Sequence, residues 1–68
     1  MDWIEVSSKR VSEVAFDVVE KKVFVKFKSD GVIYIYNGVS EDIFKQFITA
    51  VSIGSAIPLL GNNYHKLT

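Results

Sequence analysis

The clearest pattern in the chain is the alternation from Lys22 to Lys28, KVFVKFK. Side chains of a strand point to opposite faces in turn, so Val23, Val25 and Phe27 share one face while Lys22, Phe24, Lys26 and Lys28 share the other. Upstream, Val11 to Asp17 (VSEVAFD) reads as a strand with Val14 and Phe16 on one side, and Trp3 to Ser7 as a short extended segment. Downstream, Val32 to Tyr36 (VIYIY) is a third strand, apolar on both faces and ended by Asn37-Gly38. The pattern then changes period. Ile43, Phe44, Phe47, Ile48 and Val51 form one apolar stripe at helical spacing. Ser40 is placed to cap that helix, Glu41 and Asp42 suit its positive end, and Gly54 is the expected stop. The C-terminal segment carries Ile57, Leu59, Leu60, Tyr64 and Leu67, and is expected to lie across the sheet or the helix. The predicted architecture is α+β: a small antiparallel meander of three strands, with a fourth N-terminal one as an option, and one helix packed on one face.

Ser29-Asp30-Gly31 signals the turn between the second and third strands, because glycine supplies the positive φ a tight turn needs. Two registers are open. A two-residue turn sets Phe27 opposite Tyr34 and Val25 opposite Tyr36, which sends both tyrosines to the core. A three-residue loop sets Lys26 opposite Tyr34 and Phe24 opposite Tyr36. One slip flips every side chain, and the second register makes Lys22, Phe24, Lys26, Lys28, Tyr34 and Tyr36 one basic, aromatic face of the kind on which bases stack. The first register is the preferred one; the second defines the functional hypothesis.

Composition supports the strand-rich reading, with 17 valines and isoleucines against 3 leucines. Length points to a single domain over residues 1–68. Surface scaling gives roughly 6,800 Å² buried on folding. At ~60% apolar that is about 100 kcal/mol, matched by an ordering cost of about 100 kcal/mol. A chain of this size with no cysteine is marginal alone, so a homodimer is expected as a natural supplement. No run is apolar enough for a membrane span and no leader is evident, and a cytoplasmic location is expected.

Formal charge is zero, with 8 basic and 8 acidic residues, but four of the basic ones are Lys21, Lys22, Lys26 and Lys28. The balance excludes a globally basic binder and leaves a local patch, which matters more than net charge for phosphate contact. Catalysis is not expected. His65 is the only histidine and lies near the chain end; no glycine-rich phosphate loop, metal-ligand cluster or cofactor motif is present. Arg10 is the only arginine, which disfavours sequence-specific duplex readout.

The ordered string Ile4-Glu5-Val6-Ser7-Ser8, then Val11, Val14 and Phe16-Asp17, then a glycine turn, Tyr34-Ile35-Tyr36, Gly38-Val39, a helix over 41–49 and Ala50-Val51-Ser52-Ile53-Gly54 resembles the KTSC domain family. The resemblance covers about residues 4–54. Residues 55–68 depart from it: Ala56-Ile57-Pro58 stands where the family tends to have an aromatic-asparagine pair. The family is named from the C-terminus of certain lysyl-tRNA synthetases and also occurs as short stand-alone proteins. The resemblance implies a domain with no established activity and a suggested link to RNA. The expected function is therefore a small non-catalytic binding module. It would make weak single-stranded RNA contact through Tyr34, Tyr36, Lys22, Lys26 and Lys28, with Phe24 as the stacking aromatic. The alternative is a protein-interaction or homo-oligomeric accessory role, anchored by Trp3, Phe24 and the aliphatics Ile57, Leu59 and Leu60.

Overall fold

The computed structural model describes residues 2–67. Five strands form one antiparallel sheet in the order of the sequence: β1 (Ile4–Glu5), β2 (Val11–Asp17), β3 (Lys22–Phe27), β4 (Ile33–Asn37) and β5 (Tyr64–Lys66). Between β4 and β5 the chain builds helix α1 (Glu41–Ile48), the short helix α2 (Ile53–Ala56) and a 3₁₀ turn over Ile57–Leu60. The sheet is thus larger than the expected three or four strands. β5 is the unexpected one, because three exposed residues, Tyr-His-Lys, carry no alternation long enough to read; only pairing to β4 makes them a strand.

Each hairpin is set by a local polar contact. Asp17 Oδ1 accepts from the amides of Val19 and Glu20 (3.1 and 3.0 Å), folding the β2–β3 connection back on itself. At the β3–β4 connection Asp30 Oδ1 accepts from Val32 N–H at 3.0 Å, and Gly31 sits at φ +70°, where a Cβ would be strained. Phe27 N–H donates to Val32 O and Gly31 N–H to Phe27 O, so the loop holds four residues, 28–31. The register follows: Val25 pairs Tyr34, Val23 pairs Tyr36, Phe24 pairs Ile35 and Lys26 pairs Ile33. It matches neither expected pairing. It differs from the two-residue-turn register by two positions, so the faces are those of that register, with Tyr34 and Tyr36 on the side of Val23 and Val25.

That side is the core. Val11, Val14, Val23 and Val25 are fully buried on the sheet, and Phe44 and Phe47 meet them from α1. Phe16 stacks on Phe44 at 4.7 Å with 11° between the rings. Ile53, Ala56 and Leu60 complete the roof. Ser40 caps α1 as expected, its Oγ accepting from Ile43 N–H at 3.2 Å. The helix ends earlier than its apolar stripe, with Thr49 as its C-cap, and Val51 is fully exposed. Gly54 is not the stop; it lies inside α2, where its missing side chain leaves space beside Arg10.

The opposite face of the sheet carries no helix, yet Ala15 and Ile35 are buried there, outside the main core cluster. Trp3 meets Phe24 edge-on on that side, ring centroids 6.3 Å apart. The total accessible surface is 4468 Å², close to the ~4,300 Å² that scaling gives for a folded monomer of this mass.

Candidate functional site

The helix layer covers only part of the inner face. Toward the β3–β4 loop the sheet is left as one wall of a groove of about 500 Å³, lined by Phe27, Tyr34, Tyr36 and Tyr64 and faced by Ile57 and Pro58 of the 3₁₀ turn and by Gly61, which caps it. The aromatics adjoin because alternation puts them all on one face of three neighbouring strands. Phe27 meets Tyr34 edge-on at 5.6 Å, Tyr34 lies 5.9 Å from Tyr64, and Tyr64 lies 5.1 Å from Tyr36. Tyr36 is the floor, 5% exposed, while Tyr64 is half open at 51%. Burial pushes the Tyr36 hydroxyl above the ordinary tyrosine range. The neighbouring Tyr64 and Tyr34 act the same way, and the Arg10 charge acts against them.

Phe27 and Ser29 also line a second hollow of about 460 Å³, whose other walls are Lys9, Arg10 and Lys28. Lys9 and Arg10 in turn line a third hollow of about 390 Å³ with Ser7, Ser8, Ser52, Gly54 and Ser55. The floor of this third hollow is built by hydroxyls turned to the backbone. Ser8 Oγ accepts from the amides of Arg10 and Val11 (both 3.2 Å), and Ser52 Oγ accepts from Ser55 N–H at 3.3 Å. A Cβ on Gly54 would stand 3.5 Å from Arg10 Cδ, an ordinary contact, so the arginine stem is seated against α2 with room for one methyl group. Aromatic groove, cationic hollow and serine hollow therefore share walls along one side of the molecule, with Asp30 as the acidic residue at the aromatic end.

The six residues singled out from the sequence divide between two faces. Tyr34 and Tyr36 line the groove, and Lys28 lies in the loop beside it, on the cationic hollow. Lys22, Phe24 and Lys26 lie on the far side of the sheet, paired across β2–β3 with Asp17, Ala15 and Glu13. The single basic, aromatic platform of the alternative register does not exist, because a four-residue loop keeps the tyrosines in phase with Val23 and Val25. The residues missed are Phe27, Tyr64, Lys9 and Arg10. Phe27 was legible, since it shares its parity with Val23 and Val25. Tyr64 was not, because its place depends on β5 joining the sheet. His65 is exposed on β5, its Nδ1 3.2 Å from Asn37 Nδ2.

Among the described residues no group of three His, Cys, Asp or Glu side chains is placed to hold a metal ion, and no helix is long and apolar enough to cross a membrane. No curated protein sequence matches the chain. A crystal structure of a KTSC domain protein from Yersinia pestis superposes with a TM-score of 0.86 at 26% identity, covering 98% of this chain and 97% of that one. The C-terminal segment, which departs from the family motifs, thus falls inside the structural match. The KTSC domain model matches residues 7–57, from the serines of the third hollow through the Tyr-x-Tyr strand to the start of the 3₁₀ turn, and the chain belongs to the KTSC domain family.

Proposed function

We propose that the protein is a non-catalytic binding module that takes single-stranded RNA along its helix-side groove, with Tyr34 and Tyr64 stacking bases and Lys9, Arg10 and Lys28 meeting phosphates. One observation carries this reading: Phe27 and Ser29 are common walls of an aromatic groove and a cationic hollow. Stacking faces beside tracking cations are what sequence-tolerant single-strand binding needs, each stacked base contributing about 1–3 kcal/mol. The groove replaces the sheet face expected from the sequence, and Lys22, Lys26 and Phe24 have no part in it. A cytoplasmic setting belongs to the same proposal and fits a chain without cysteine.

The test is titration of the labelled protein with a short oligouridine at low and moderate salt, followed by amide and aromatic resonances. Shifts are expected at Tyr34, Tyr64, Lys28 and Arg10. With three cations in contact, log K should fall with log salt at a slope of about −2. Tyr64→Ala should weaken binding roughly 5- to 150-fold. No shift at high micromolar RNA, or shifts confined to Lys22 and Lys26, would refute the reading.

A further inference from the structure

The helix-free face of the sheet has a pattern of its own. Its central row is apolar: Ala15, Phe24 and Ile35 are neighbours across β2, β3 and β4, and Trp3 meets Phe24 from the β1 side. Ala15 and Ile35 are already buried, but Trp3 is 37% exposed and Phe24 half-buried. The flanking rows carry charge ordered by strand, with acids on β1 and β2 (Glu5, Glu13, Asp17), lysines on β3 (Lys26, Lys22) and the uncharged Ile33 and Asn37 on β4.

We propose that this face pairs with the same face of a second copy, about a two-fold axis lying between β2 and β3 and parallel to them. That operation keeps each residue's position along the strands and exchanges β2 with β3. Glu13 then faces the partner's Lys26 and Asp17 the partner's Lys22, and both contacts are reciprocated, as an isologous interface requires. The Trp3–Phe24 pair of each copy meets that of the other at the centre, so an aromatic core is ringed by complementary charge. An axis perpendicular to the strands would interchange the two ends of each strand, bringing acid against acid on β2, so the charge order selects the parallel one.

Area sets the strength. Four overlapping strands at ~4.8 Å spacing and five residues at ~3.4 Å give a footprint of roughly 330 Å² per copy. A standard interface uses ~800 Å² per partner. The dimer is therefore weak and populated at hundreds of micromolar, where Trp3 passes from half-open to buried. The groove lies on the other face, so dimerisation and groove binding are compatible and are tested separately.

Trp3 is the single tryptophan and reports the event directly. Sedimentation velocity from ten micromolar to one millimolar should show reversible dimerisation, with a parallel blue shift of Trp3 emission. Glu13→Lys and Lys26→Glu should each move the midpoint at least tenfold higher, because each sets like charges face to face twice. An equimolar mixture of the two variants should recover the dimer. The two introduced charges then face each other with opposite sign, and the unaltered Lys26 of one variant faces the unaltered Glu13 of the other. Intrachain repulsion is unchanged by mixing, so recovery reads the interface and not the fold. A wild-type protein that stays monomeric at one millimolar overturns the proposal. So does a dimer without the emission shift, or a mixture that does not recover.

Discussion

The same substitution, glycine to alanine, should have opposite signs at two positions of this chain. Gly54 lies within α2 at an ordinary helical φ, and an added Cβ would stand 3.5 Å from Arg10 Cδ and 3.9 Å from Ser8 Oγ, which is normal van der Waals contact. Gly54→Ala then costs nothing in the folded state and removes freedom from the unfolded one, a gain of about 0.5 kcal/mol. Gly31 closes the β3–β4 loop at φ +70° with nothing within 4 Å of the new Cβ, so space is not its constraint. There the left-handed backbone costs an L-residue about 1–2 kcal/mol, only partly offset by the same unfolded-state gain, for a net loss of about 1 kcal/mol. At ~4–8 °C per kcal/mol for a domain of this length, Tm should rise by ~2–4 °C for Gly54→Ala and fall by ~4–8 °C for Gly31→Ala. Thermal unfolding followed by circular dichroism reads both. A Gly54→Ala protein less stable than wild type would show that the Arg10 seat has no slack, and a neutral Gly31→Ala would show that the loop is not held at positive φ.

Phe47 is fully buried under α1, and Phe47→Ala should cost ~3–5 kcal/mol against a total of roughly 3–10 kcal/mol for this length; loss of a cooperative melt is the expected outcome. Ser40→Ala removes the acceptor for Ile43 N–H and should lower the urea midpoint by an amount equivalent to about 1 kcal/mol. The raised pKa of Tyr36 means that the folded state holds this proton more tightly than the unfolded one. Its contribution is intact below the ordinary tyrosine pKa of about 10 and is lost as pH rises from there through the raised value. Tyr36→Phe lacks that titration, so its stability relative to wild type should improve between pH 9 and 11 in paired urea melts; a constant difference would contradict the assignment.

The local elements were written in the chain. Alternation in Lys22 to Phe27, the Asp30-Gly31 turn and the Ser40 cap each depend on interactions within a few residues, so β2, β3, β4 and the start of α1 could be read directly. The family motifs likewise lie along residues 7–57 and are legible as a string. Two things waited for the tertiary structure. The first was the phase of β4 against β3: a loop of four residues where two or three were expected decides which face carries Tyr34 and Tyr36, and parity alone separates a stacking platform from a groove wall. The second was the site itself. Tyr64 joins Tyr36 only because β5 returns from the end of the chain to pair with β4, and Arg10 meets Ser52 and Gly54 at the third hollow only because α2 folds back beside the β1–β2 turn. The sequence by itself determined the residue types and their local periods, because those follow from backbone geometry. Which of them meet was decided by long-range pairing and packing, where the energetic choice is made between segments that no local window contains.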